Sequence, residues 1–120
     1  LWGASALARL CRARLRACLP RLTAGRLAQA LRSELHQTGL WTPEPDLPRY
    51  RGGPFGEDHM SFEQWLQAVL VLRLDDIAAG HLAVPAESHL ATRATREWDG
   101  NEHRAGLLPV LVSAVDRLAE

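Results

Sequence analysis

The sequence predicts an all-α protein: an up-and-down four-helix bundle with an extra basic helix in front of it. Two observations favour this fold class. Apolar residues recur at three- and four-residue intervals along most of the chain, and no segment alternates apolar and polar residues as a half-buried strand does. A chain of 120 residues, 47% of them hydrophobic, suffices for one domain with a single core.

The first predicted element is a basic amphipathic helix over residues 4–19, which Pro20 is expected to end. Residues 1–33 contain seven arginines and no acidic residue, whereas the rest of the chain has seven arginines against 14 acidic residues. This charge split suggests either a basic arm for an acidic partner or two segments of different origin. We therefore divide the chain into a basic extension or leader, residues 1–20, and a helical-bundle domain, residues 21–120.

The role of the basic segment stays open at this point. Arg9, Arg12, Arg14 and Arg16 are candidate contacts for nucleic-acid phosphates, since an acid-free arginine cluster attracts them. The aromatic residues that single-strand binders use for stacking are nearly absent, because only Trp2 precedes the arginines. A leader, an extension or an arm docked on the acidic remainder is therefore favoured over contact with RNA or with a membrane surface.

Cysteine usage and hydropathy predict a soluble protein of a reducing compartment. In a helix, Cys11 and Cys18 would lie about 10 Å apart, whereas a disulfide needs Cα atoms within about 7 Å. The cytoplasm is thus the expected location, and the alternative is the mitochondrion if the arginine-rich segment is a transit peptide. No apolar stretch approaches the roughly 18 residues of a membrane span.

The first bundle helix is expected to begin with Thr23 as its N-cap and to end at Gly39. Leu27, Leu31 and Leu35 follow one another at four-residue intervals, which predicts its buried face. Residues 40–60 then contain four prolines and three glycines and show no periodic pattern. They are expected to form a long strap along the bundle.

The central helix begins at Ser61. Ser61 and Gln64 have the spacing of a capping box, and Met60 and Trp65 that of a hydrophobic staple. The run of residues 69–72 is entirely apolar, which predicts a helix contacted from several sides. We expect Gly80 to end it.

Two more helices complete the predicted bundle. Pro85 suits the first turn of a helix that runs to about Trp98, and residues 99–101 are expected to turn the chain. The last helix is expected over residues 107–118. Pro109 marks either a kink in that helix or its first turn.

A short motif resembles a known family. It comprises Pro54-Phe55, Asp58, Met60, Phe62, Gln64-Trp65-Leu66-Gln67 and Arg73, with Trp41 at the end of the first bundle helix. This pattern resembles the YqcC-like family of bacterial helical-bundle proteins, over roughly residues 22–120. The resemblance implies a closed, left-handed four-helix bundle. It implies no activity, because the family is uncharacterised, although its members are often encoded beside a tRNA pseudouridine synthase.

The same stretch supplies the candidate binding surface: Pro54, Phe55, Asp58, Phe62, Gln64, Trp65 and Arg73. Its aromatic residues either line a small-molecule pocket between helices or belong to the core, with Phe55 fastening the strap. The second interpretation is favoured. Arg73 is expected to pair with Asp58 or Glu63, or else to emerge at the surface.

No catalytic residue, metal site or cofactor is predicted. The five histidines lack the spacing of a metal-ligand set, and Ser61 lacks the Gly-x-Ser-x-Gly context of a nucleophile. The acidic cluster near the start of the central helix consists of Glu57, Asp58 and Glu63. We interpret it as negative charge placed at the positive end of the helix dipole rather than as an acid–base site. Asp75 and Asp76 are expected on a solvated face.

These patterns favour a non-enzymatic accessory protein that acts by protein–protein contact, with a link to tRNA modification suggested by the resemblance. The alternative is a small-ligand or RNA-binding module. It would use either the aromatic strap region or the arginine-rich arm.

Overall fold

The computed structural model describes residues 2–57, 59–85 and 89–119, with side chains from residue 19 onward except those of residues 102 and 119. Its helices are α1 (Trp2–Gln37), α2 (Phe62–Trp65), a π-helical turn (Leu66–Leu70), α3 (Val71–Ala78), α4 (Leu90–Glu97), α5 (Glu102–Ala105) and α6 (Leu108–Asp116), with 3-10 turns at Glu44–Asp46, Pro54–Gly56 and Arg117–Ala119. No strand occurs in these ranges, which confirms the all-α class. The left-handed four-helix topology stays a prediction.

Helix α1 passes through Pro20 without ending. The predicted break at Pro20 and the predicted new helix capped by Thr23 are therefore both wrong. A proline removes one helical hydrogen bond, but its φ of about −65° is that of an α-helix. Leucine, alanine and arginine dominate both sides of it, and their high helix propensity offsets the missing bond. The division of the chain at residue 20 stays a prediction.

Glycines end α1 and α3 as predicted. Gly39 has a φ of 74°, and the N–H of Leu40 donates to the carbonyl of Leu35 over 2.9 Å. This six-residue closure is a Schellman motif, which needs a left-handed residue next to the helix end. Gly80, with a φ of 81°, repeats the arrangement after α3.

The core forms where α1 packs along α3, α6 and the π-helical turn. Leu31 and Leu35 are fully buried and Leu27 nearly so, which confirms the predicted face of α1. Ala24 and Ala28 extend this face by one further turn. At the edge of this contact Arg32 pairs with Asp75 of α3, so the expectation that Asp75 is merely solvated is wrong.

The central helix contains a π-helical turn that the sequence pattern did not predict. Its start is as expected: Ser61 Oγ accepts from the N–H of Gln64 over 3.1 Å, and Gln64 Oε1 accepts from the N–H of Ser61 over 3.0 Å. The wider turn adds a residue to the helical period. Val71 is buried, whereas Leu72 is 55% exposed, so the apolar run of residues 69–72 is not buried throughout.

Helix α4 begins at Leu90, five residues after the predicted start at Pro85, and ends beside Trp98 as predicted. Its cap comes from α6: the carboxylate of Asp116 accepts from the N–H of Leu90 over 3.1 Å and from that of Ala91 over 2.7 Å. A helix start needs acceptors for its first N–H groups. The tertiary contact with Asp116 supplies them, and a local reading of the sequence misses such a contact.

The chain turns at Gly100, forms the unpredicted short helix α5, and reaches α6 through Gly106. Gly106 has a φ of 56°, and a Cβ atom there would overlap Glu34 Oε1 of α1. The same oxygen accepts from the N–H of Leu107 over 3.1 Å. Pro109 lies in the first turn of α6, which decides between the two interpretations offered for it.

Among the helices described, none combines the length and the apolarity that crossing a bilayer requires.

We expect Asp116→Ala to lower the free energy of unfolding by about 1 kcal/mol, because the first two N–H groups of α4 lose their carboxylate acceptor. The measurement is urea denaturation followed by far-UV circular dichroism. Asp76→Ala is the matched control, since Asp76 is an exposed carboxylate in α3. Equal loss in both variants would show that Asp116 does not cap α4.

Candidate functional site

The strap is anchored at its beginning by a buried glutamine. Gln67 lies in the π-helical turn and is 6% exposed. Its Nε2 donates to the carbonyl of Thr42 over 2.7 Å, and its Oε1 accepts from the N–H of Thr42 over 2.9 Å. Beside this pair Trp41 stacks on His36, with ring centroids 4.4 Å apart. The chain leaving α1 is thus bonded to the central helix through both polar groups of one backbone residue.

The far end of the strap is held by Phe55. Its φ of 60° and ψ of 10° lie in the left-handed region, which costs about 1 kcal/mol for a residue other than glycine. The Phe55 ring meets Trp65 edge-on at 5.0 Å between centroids and Phe62 at 5.8 Å. Aromatic contacts of this kind are each worth roughly 1 kcal/mol. They offset the strain and agree with the prediction that Phe55 fastens the strap.

An ion-pair cluster covers the outer side of the aromatic residues. The Arg93 guanidinium lies 5.8 Å from the Phe55 ring centroid and 5.9 Å from that of Phe62. It pairs with Glu57 at 3.0 Å and with Glu97 at 3.1 Å. Glu57 therefore serves in an ion pair between the strap and α4. Arg93 was not predicted from the sequence, because the strap residues that it contacts lie far from it along the chain.

Trp98 also contacts this cluster, which was not predicted from the sequence. Its ring lies 5.3 Å from that of Phe62, and its Nε1 donates to Glu63 Oε1 over 2.8 Å. No ion pair joins Arg73 to Glu63 among the described residues, and Arg73 is exposed, as the alternative expectation had it. The other suggested partner of Arg73, Asp58, lies outside the described residues.

An apolar cleft of about 290 Å³ opens between the strap, α3 and the C-terminal helices. It is lined by Tyr50, Gly53, Pro54, Phe55, Trp65, Leu70, Arg73, Leu74, Ile77, Leu82, Val84, Pro85, Leu90, Val115 and Leu118. Arg73 is the one charged residue among these, and its Cζ lies 6.0 Å from the centroid of the Trp65 ring. Trp65 Nε1 is buried and has no hydrogen-bond partner in the described part of the chain.

The structure brings together four residues of the predicted binding surface: Pro54, Phe55, Trp65 and Arg73 all line the cleft. Two others have different roles. Phe62 is 2% exposed beneath the cluster, and the Gln64 side chain is engaged in the helix cap and with Thr42 Oγ1 at 3.4 Å. Asp58 is not among the described residues.

The candidate phosphate contacts Arg9, Arg12, Arg14 and Arg16 belong to α1, but their side chains lie outside the described ones. Their role stays a prediction.

Several residues of the cleft were missed at the sequence level. Tyr50 lies in the strap, where no periodic pattern exists, and its hydroxyl donates to the carbonyl of Gly53 over 2.7 Å. Leu82 and Val84 lie in an apolar stretch between α3 and α4. Their position outside a helix was the one signal in the sequence that they pack against other parts of the chain. Val115 shows only helical spacing, which predicts burial but not a cleft.

The cleft can bind but offers little chemistry. Its walls provide apolar surface, one guanidinium and the Tyr50 hydroxyl, without a carboxylate, imidazole or thiol among the lining residues given above. Within the described residues, no three His, Cys, Asp or Glu side chains come together as a metal site.

Comparison with known protein families yields a match over most of the chain. The model of family DUF446, described as tRNA pseudouridine synthase C, matches residues 23–118. No curated protein and no solved structure matches the chain.

We expect Gln67→Glu to lower the free energy of unfolding by about 2 kcal/mol at pH 7, because a carboxylate oxygen would replace the amide donor facing the Thr42 carbonyl. Contact with that carbonyl disfavours the ionised form, so the folded-state pKa of the new carboxyl is raised above its ordinary value of about 4.3. Stability should therefore recover as the pH falls towards that value and be lost again as it rises.

The matched control for this variant is Gln64→Glu, the same chemical change three residues earlier. A glutamate suits that capping position and should leave stability unchanged or raise it. Urea denaturation at pH 7 and pH 5 measures both variants. Equal effects at the two positions would contradict the anchoring role of Gln67.

We expect Phe55→Ala to release the far end of the strap, with a loss of about 2 kcal/mol in unfolding free energy for this half-buried ring. Trypsin should then cleave after Arg51 faster than in the parent protein. Phe55→Leu, which keeps apolar volume and the same backbone, should show less than half of each effect. Unchanged cleavage after Arg51 in Phe55→Ala would refute the fastening role.

Proposed function

We propose, since this chain belongs to the DUF446 family, that it is a non-enzymatic accessory protein acting by protein–protein contact in tRNA pseudouridylation. The family is uncharacterised, and its description names tRNA pseudouridine synthase C. The YqcC-like resemblance is part of the same proposal, because its motif, from Pro54 to Arg73, lies within the matched range of residues 23–118. We place the protein in the cytoplasm beside the modifying enzyme.

The observation that carries the proposal is an exposed apolar face on α6. Leu107 and Val110 are 59% and 60% exposed, and their three-residue spacing sets them side by side on the helix surface. Half-buried Leu111 and Ala114 continue this face towards the core. Adjoining apolar side chains at a surface are typical of an interface with another protein. The partner that we propose is the tRNA pseudouridine synthase named by the family description.

The accessory role is also favoured over catalysis by the groups that line the cleft. Acid–base or nucleophilic catalysis needs a titratable group placed against a reacting atom. The described lining of the cleft offers a guanidinium, an indole and the Tyr50 hydroxyl, and that hydroxyl already donates to the carbonyl of Gly53. Such groups are hydrogen-bond donors suited to holding a bound molecule.

The test is the association of the purified chain with the tRNA pseudouridine synthase of its own organism, measured by isothermal titration calorimetry. We expect a complex, and we expect Val110→Glu to weaken it at least tenfold because a charge would be buried in the interface. Leu72→Glu is the matched control, since Leu72 is 55% exposed on the separate surface of α3. It should bind like the parent protein.

Failure to form the complex, or equal binding by Val110→Glu, would contradict the proposal. Pseudouridine formation by the chain alone would contradict its non-enzymatic part. Binding of tRNA without the enzyme, lost at high salt and on removal of residues 1–20, would instead favour the RNA-binding alternative.

A further inference from the structure

We propose that the cleft beneath the strap binds an amphipathic monocarboxylate, a small molecule with one aliphatic or aromatic body and one carboxylate group. In this arrangement the body lies against the apolar walls, and the carboxylate meets the Arg73 guanidinium. The site is separate from the α6 face and goes beyond the accessory role. Its occupancy can be tested without a protein partner.

The walls suit a compact molecule rather than an extended peptide. They come from parts of the chain far apart in sequence, among them Tyr50 of the strap, Leu74 of α3, Val84 of the segment before α4, Leu90 of α4 and Val115 of α6. A cavity of about 290 Å³ lies near the lower end, roughly 300 Å³, of small-molecule sites. Such a space accepts one short hydrocarbon chain or one ring.

The charge of the lining selects an anion. Arg73 is exposed, and it forms no ion pair with any described residue, whereas Arg32 and Arg93 are both engaged by carboxylates. A guanidinium binds a carboxylate through two parallel hydrogen bonds. A single cation matches a single negative charge. A phosphate monoester, with more charge and more acceptor oxygens, would need further donors that the described lining does not offer.

The indole of Trp65 lines the cleft beside Arg73, whose Cζ lies 6.0 Å from the Trp65 ring centroid. A carboxylate held by Arg73 would therefore lie close to the indole and change the surroundings of its N–H. Trp65 thus reports on occupancy of the cleft, whereas Trp98 is not among the lining residues and its Nε1 donates to Glu63.

The experiment is a titration of the ¹⁵N-labelled full chain with octanoate, and with octanol as the neutral probe, followed by NMR of the tryptophan indole N–H signals. Trp65→Phe assigns the Trp65 signal by its loss. We expect octanoate to shift this signal saturably. Arg73→Gln should weaken octanoate binding about tenfold, because a charge-assisted hydrogen bond is lost. Octanol binding should remain unchanged.

Arg104→Gln is the matched control, since Arg104 is an exposed arginine away from the cleft, and it should bind both probes like the parent chain. Arg73→Lys, which keeps the charge, should retain part of the octanoate affinity. The proposal is overturned if neither octanoate nor 3-phenylpropanoate shifts the Trp65 signal saturably. It is also overturned if Arg73→Gln and Arg104→Gln bind octanoate equally.

Discussion

The course of the strap depends on one buried amide. Among the described residues Gln67 is the one buried residue with a polar or charged side chain, and it bonds both the N–H and the carbonyl of Thr42. A segment of about twenty residues with little regular structure is uncommon in a compact domain, because its backbone groups need partners. Gln67 provides them where the strap meets the core, directly after the Gly39 cap sets the direction in which the chain leaves α1.

The second attachment is aromatic and carries strain. Phe55 holds a left-handed conformation because its ring packs between Trp65 and the Arg93 guanidinium. With Thr42 bonded at one end and Phe55 packed at the other, the strap lies against the central helix as one wall of the cleft. The cleft therefore follows from how the strap is attached, and Trp65 and Arg73 line it from the central helix.

Local signals in the sequence were interpreted correctly because they involve residues within five positions of one another. The capping box at Ser61 and the helix ends at Gly39 and Gly80 belong to this class. Pro20 shows the opposite case: a helix breaker was overridden by the strong propensity of its neighbours. The start of α4 was misplaced because its cap, Asp116, lies 26 residues away in the chain. The same holds for the candidate site. Phe55, Trp65 and Arg73 were predicted because they belong to the short motif that resembles a known family. The contacts of Arg93 with the strap depend on tertiary packing, which no local pattern records.

The central claim is that the strap is part of the folded core through the bond between Gln67 and Thr42. Native-state hydrogen exchange of the Thr42 amide tests it directly, because that N–H has no partner within a helix and is protected only by Gln67. If the strap belongs to the folded core, Thr42 exchanges as slowly as the amides of Leu70 and Leu74, through global unfolding. Exchange of Thr42 that is orders of magnitude faster, while α3 stays protected, would show that the strap opens independently and would contradict the claim.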